Sequence, residues 1–203
     1  MKTHITITRH GEGEHNLRTS VFMGRAPEAR LTAKGREQAE RLGRRLAANT
    51  VPRRIVCSSL TRAVETAEII GRATGVADVQ GDDAFWELSK GNWEGTMQRP
   101  LPPDLQQAVD ADPMGFRYGG GESYRDVVAR VAPRFDHWVA RHQGEALLFV
   151  LHGDVIRALL YHVIGFPEAK IGDFEIAPCS LTEIIHEAQR YRIEKINDDA
   201  HLT

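Results

Sequence analysis

The residues able to do chemistry sit where apolar runs stop. Thr8-Arg9-His10-Gly11-Glu12 follows a stretch in which Ile5 and Ile7 alternate with Thr6 and Thr8. Such β-branched alternation reads as a strand. It delivers a cation, an imidazole and a glycine at the strand's carboxyl end, the end at which open α/β sheets bind ligands. Gly11 allows a sharp turn there, and the combination suits an anion. The same arrangement recurs at Leu151-His152-Gly153, after the continuous apolar run Ala146 to Leu151. Arg62 follows a third short apolar run, Ile55-Val56-Cys57, in the first turn of a predicted helix whose N–H groups also favour anions. Spacing alone leaves open whether Arg62 is instead a solvated helix residue. Two histidines and two arginines at strand ends point to one convergent site.

A carboxyl group completes the set. Trp86-Glu87 and Trp93-Glu94 place two tryptophans beside two glutamates. An apolar surrounding raises a carboxyl pKa, which suits a general acid. Ordinary aromatic packing with solvent-facing carboxylates is the alternative.

The elements that must position these groups follow from periodicity. Thr32 caps a helix predicted over Ala33 to Ala48, with Ala39, Leu42, Gly43 and Leu46 inward. Ser59 is the expected cap of the second helix, in which Ala63, Ala67 and Ile70 face inward. A strand starts at Val79. Thr96 to Gly121, broken by Pro100, Pro102, Pro103 and Pro113, reads as a lid-like insertion with a short helix between Pro103 and Val109. A long helix starts near Glu122, with Pro133 expected to kink or divide it. Ala146 to Leu151 reads as a central strand buried on both faces. Another helix follows His152. Leu181 to His186 and Tyr191 to Ile196 form a predicted hairpin.

The 203 residues, 41% hydrophobic and 27% charged, suit one soluble domain spanning 1–203. A net charge of −2 argues against a nucleic-acid or acidic-membrane partner covering the surface. No run is apolar enough to span a membrane, and the N-terminus lacks a signal core, so the cytoplasm is the expected compartment. Cys57 and Cys179 read as reduced and buried. The histidines show no metal-ligand spacing, so no metal and no cofactor is expected. His137 and His142 are read as surface residues. A homodimer is compatible with all of this.

In order along the chain, these motifs resemble the histidine phosphatase superfamily, also called phosphoglycerate mutase-like. Arg9-His10-Gly11-Glu12 with Asn16 resembles the N-terminal signature. Ser58-Ser59-Leu60-Thr61-Arg62-Ala63 with Glu65-Thr66-Ala67 resembles the second. Glu87 ahead of Trp93-Glu94-Gly95, Gly120-Gly121-Glu122-Ser123, Leu151-His152-Gly153 and Asn197-Asp198 with His201-Leu202 complete the set. Two departures stand out. Glu28-Ala29-Arg30 replaces the family's Asp-x-Pro, and Asp154 stands where a small residue is usual.

The resemblance implies a three-layer α/β/α sandwich with a mostly parallel sheet. It implies a metal-independent phosphomonoesterase acting through a phosphohistidine on a small-molecule phosphomonoester. His10 would be the nucleophile, Glu87 the proton donor and His152 a stabiliser of the phosphoryl group. Arg9, Arg62 and Asn16 would bind the phosphate. Glu94 would be structural. A phosphoglycerate or phosphosugar mutase using the same histidine is the alternative. The short Thr96–Gly121 segment, with only Arg99 and Arg117 as basic residues, favours hydrolysis. Sugar phosphates, phosphoserine, nucleotides and cofactor precursors all remain open as substrates.

Overall fold

The computed structural model describes residues Met1 to Thr203. Six strands form one sheet: β1 (Thr3–Arg9), β2 (Arg54–Cys57), β3 (Val79–Gly81), β4 (Ala146–Leu151), β5 (Leu181–Glu187) and β6 (Arg190–Asp198). Their order is β3-β2-β4-β1-β5-β6. β3, β2, β4 and β1 run parallel. The hairpin β5–β6 adds antiparallel strands beside β1. The sheet is therefore mixed and mostly parallel, and β4 is a central strand.

Alternation along β4 divides the core. Leu147, Phe149 and Leu151 join a cluster of 24 buried residues with the inner faces of α4 (Tyr124–Arg141) and α5 (Gly153–Ile164). Leu148 and Val150 face the opposite way, into a cluster of 12 formed with α1 (Ala33–Asn49) and α2 (Thr61–Thr74). The two helical layers enclose the sheet, which is why β4 is apolar at every position.

Thr32 caps α1 by accepting from Gly35 N at 3.0 Å. Three local expectations change. Ser59 does not cap α2: Leu60 holds that position, and Ser59 Oγ instead accepts from Trp86 Nε1 at 2.6 Å and donates to Asp83. Pro133 does not divide α4. It lies on the exposed side with Ala129, whose carbonyl loses its helical donor where water can replace it. His142 is no surface residue. It is 8% exposed, stacked on Trp138 with ring centroids 5.7 Å apart, while His137 is exposed.

The proline-rich segment contains α3 (Pro103–Ala111). Beyond it Met114 and Tyr118 are buried in the larger core, and Phe116 packs against that core. Tyr118 also lies edge-on to Trp93, centroids 6.0 Å apart. The segment is thus anchored at its carboxyl-terminal half.

Phe149 is fully buried between Phe85 and Phe135, with centroids 5.8 and 5.0 Å away. Phe149→Ala should cost about 3–5 kcal/mol. A urea titration should show the midpoint falling with the slope unchanged.

Candidate active site

Register brings the two histidines together. Arg9 pairs with Leu151 across β1 and β4, so the next residues, His10 and His152, leave the sheet side by side. His10 N donates to Leu151 O at 2.9 Å, and the two rings have centroids 5.1 Å apart. Gly11 then meets Gly35 of α1. A Cβ on Gly11 would lie 2.4 Å from Gly35 O, and one on Gly35 would lie 2.0 Å from Glu12 O. Close approach of two backbones, rather than a left-handed turn, is what requires glycine at Gly11.

His10 has a defined tautomer. Its Nδ1 lies 2.7 Å from Gly11 O, which can only accept, so Nδ1 carries the proton and Nε2 carries the lone pair. Arg62 Nε donates to that lone pair at 3.2 Å. Arg62 is 0% exposed and reaches the site from the first turn of α2. Its Nη1 donates to Arg25 O at 2.6 Å and Ala26 O at 3.1 Å, tying the Met23–Arg30 loop to the histidine. Burial draws Arg62 down to about 10, which leaves it cationic at neutral pH.

Burial pushes His10 and His152 well below the usual imidazole range, reinforced by Arg62 and, more weakly, Arg9. His15 is pushed down to about 3 by burial and the same two arginines; its ring centroid is 5.3 Å from that of His10. All three rings are neutral at pH 7. Both ring nitrogens of His152 and Nε of Arg9 are buried without a partner in the protein. Arg9 Nη1 is held by Ile176 O at 2.7 Å. Unpaired buried polar atoms cost about 1–3 kcal/mol each and mark a place where a ligand supplies the partner. Here the unpaired atoms belong to His152, whose ring lies beside that of His10, and to Arg9, the residue before it.

His10, Arg62 and His152 form a buried floor. Above it opens a cavity of about 290 Å³, lined in part by Arg9, Asn16, Glu87, Lys90, Asp154 and Arg157. Asn16 Oδ1 accepts from Gly13 N at 2.9 Å, which fixes the loop after His10. Glu87 is half-buried. Its Oε1 accepts from Leu88 N at 2.9 Å, and burial followed by the nearby Asp154 carboxylate raises its pKa. Glu94 accepts from Lys90 N at 2.9 Å and braces the turn beyond. Of the six residues expected at the site, Arg9, Asn16 and Glu87 line the cavity, His10, Arg62 and His152 are buried next to one another beside it, and Glu94 is not among its lining residues.

The sequence reading missed the brace behind Glu87. Arg130 Nη2 donates to Trp86 O at 2.7 Å and Glu87 O at 3.3 Å, while its Nε donates to Glu122 Oε1 at 2.7 Å. Glu122 in turn accepts from Arg25 and from Ser89 N. The one sequence signal was a charge at Arg130, three residues after the inward-facing Val127 of α4. It also missed Lys90, Asp154 and Arg157 as one buried ion cluster. No group of three or more His, Cys, Asp or Glu side chains could hold a metal ion.

The model of the histidine phosphatase superfamily, branch 1, matches residues 5–199. The chain belongs to that superfamily. A probable phosphoglycerate mutase of Salmonella paratyphi C is 30% identical over 98% of this chain and 94% of its own length. A solved mycobacterial glucosyl-3-phosphoglycerate phosphatase superposes with a TM-score of 0.84 at 27% identity, covering 98% of this chain and all of that one. YhfR of Bacillus stearothermophilus superposes with a TM-score of 0.81 at 29% identity, covering 99% of this chain. The family's sandwich is the fold described above.

The neutral histidines have a pH consequence. Each binds its proton more weakly in the folded chain than in the unfolded one. Below about 6.5 the unfolded state takes up protons that the folded state refuses, so stability falls as pH drops. For His15 the loss extends down towards about 3. Urea midpoints measured from pH 7.5 to 5 should decrease steadily, and less steeply in His15→Phe.

Proposed function

We propose that the protein is a phosphomonoesterase that hydrolyses a small phosphorylated metabolite through a phosphohistidine. The observation that carries this reading is the His10 lone pair, fixed by Gly11 O and ringed by Arg62, Arg9 and His152. His10 Nε2 attacks phosphorus and the ester P–O bond breaks. Arg62 shifts its N–H from the lone pair to a phosphoryl oxygen, and Arg9, His152 and Asn16 hold the others. Planar guanidinium groups suit a phosphoryl group, and preorganised charge of this kind is the main source of catalysis in phosphoryl transfer. Glu87 gives its proton to the departing alkoxide. The resulting carboxylate then takes a proton from water as that water attacks the phosphohistidine. Phosphate leaves, and His10 and Glu87 return to their starting states. Covalent catalysis divides one hard displacement into two easier ones.

The cavity's small volume favours a metabolite over a polymer. The chain is read as one domain, 1–203, with residues 96–121 inserted over the cavity; Arg99 lines it, whereas Arg117 pairs with Asp126 at 2.8 Å. One basic side chain from the insertion favours hydrolysis. The mutase reading keeps its place because the Salmonella paratyphi C relative is a probable phosphoglycerate mutase. No helix is long and apolar enough to cross a membrane. Both cysteines are buried free thiols, which suits the reducing cytoplasm. A homodimer is compatible with the reading.

Brief reaction with 32P-labelled substrate and an alkaline quench should leave label on His10, and His10→Ala should abolish turnover while keeping the fold. Label on a serine, an aspartate or His152 would refute the assignment. Isomerised phosphoglycerate without released phosphate would establish the mutase reading instead. Arg62→Ala should lower kcat/KM by roughly a hundredfold or more.

A second experiment isolates the acid. Glu87→Gln should lose far more rate on an alkyl phosphate than on p-nitrophenyl phosphate, whose leaving group needs no proton. Glu94→Gln should show no such contrast. Turnover should also survive EDTA.

A further inference from the structure

Asp154 is the second of the two departures from the motifs the sequence resembles, and its surroundings are unusual. It opens α5 directly beyond His152-Gly153. Its carboxylate is buried and meets three donors. Tyr124 OH donates at 2.5 Å, Arg157 Nη1 at 2.8 Å, and Lys90 Nζ lies 3.2 Å away. Its peptide N–H points at Glu87 Oε2, 3.4 Å distant. Glu87 and Asp154 therefore share one wall of the cavity, with Lys90 and Arg157 beside them.

The charges around Glu87 otherwise favour its ionised form. Arg62 approaches from α2 and Arg9 from the end of β1. Lys90 comes from its own segment and Arg157 from α5. Arg25 and Arg130 bind its carbonyl, with Glu122 neutralising both. The neighbouring histidines His10 and His152 are neutral. Four cations facing one carboxyl favour loss of its proton, which works against an acid for the alkoxide. Asp154 is the anion placed against two of them.

We propose that Asp154 is a positioning residue for Glu87: it neutralises Lys90 and Arg157 and sets its own negative charge beside Glu87, so that Glu87 holds its proton until the leaving group needs it. The direction is that of like charges sharing a site, where the second carboxyl ionises reluctantly. Asp154 itself stays ionised, held well below the usual carboxylate range by Lys90 and Arg157. Tyr124 stays protonated, since burial and the Asp154 charge push its phenol up. The inference rests on Glu87 being the acid.

The test is the pH dependence of kcat/KM for an alkyl phosphate. A protonated acid is required, so the rate falls as pH rises through the Glu87 pKa. Asp154→Asn keeps the peptide N–H and the size but removes the charge. Its descending limb should move about one pH unit towards acid. Asp154→Glu should restore the limb. Lys90→Met removes a cation and should move it the other way, towards alkali. Opposite shifts are not expected of residues that merely hold the fold. Carboxyl infrared bands, with Glu87 identified by loss of its band in Glu87→Gln, give the same titration without turnover. If the wild-type protein hydrolyses no phosphomonoester, the proposed function fails, and the infrared midpoints still decide the role of Asp154. Should Asp154→Asn not fold, Asp154→Ser removes the same charge and its midpoint decides: a fall supports the inference. Unmoved midpoints, or shifts in one direction for both variants, overturn it.

Discussion

A guanidinium with no exposed surface, Arg62, lies against the nucleophilic nitrogen of His10. Much of the surrounding structure serves that contact. A buried cation is costly unless its donors are met. Arg62 spends Nη1 on two carbonyls of the Met23–Arg30 loop and Nε on His10, so the loop is ordered by the same charge that later meets a phosphoryl oxygen. Thr66, one turn further along α2, accepts from Gly11 N and donates to Arg62 O. The helix, the glycine turn and the histidine are thus one hydrogen-bonded unit.

Two opposite electrostatic demands meet in one cavity. The nucleophile must be unprotonated and the acid protonated at the same pH. On the His10 side, burial and the arginines remove the proton. On the Glu87 side, burial and Asp154 shift the balance towards the protonated form. Both sides use desolvation, which disfavours the charged form of either group. The neighbours then differ in sign: cations at the imidazole, an anion at the carboxyl. Pushing two titratable groups apart in this way is how a site runs acid and base chemistry together.

The brace formed by Arg130 and Glu122 gives that arrangement its rigidity. Glu87 lies in a segment without regular structure, and its backbone carbonyls have no strand partner. Arg130 from α4 caps those of Ala84, Trp86 and Glu87, so a long helix holds a loop carboxylate in place. On the other side Lys90 stacks 3.8 Å over Tyr118, linking the acid's segment to the proline-rich insertion. Shape at the mouth of the cavity and the proton on its wall are therefore mechanically connected.

Most elements, and the polar residues at their ends, were legible in the sequence. Period-two and period-3.6 patterns marked β1, β4, α1 and α2, and the double apolar face of β4 announced its central position. His10, Arg62, Glu87 and His152 stood out because each follows a strand end or sits beside tryptophans in a shared motif. Which groups press on which depended on packing. That Arg9 and Leu151 share a register, and so place two histidines together, depends on strand pairing between residues far apart in the chain. Whether Arg62 was a solvated helix residue or a buried ligand was open until α2 packed onto the sheet. Ser59 changed from a cap to a partner of Trp86, and His142 turned from surface to core, because a neighbour in space offered a better contact than the local chain. Asp154 and Arg157 pair at i,i+3 within α5, but the approach of Lys90 to Asp154 left no periodic trace. Charge pairing over tens of residues has no local pattern to read.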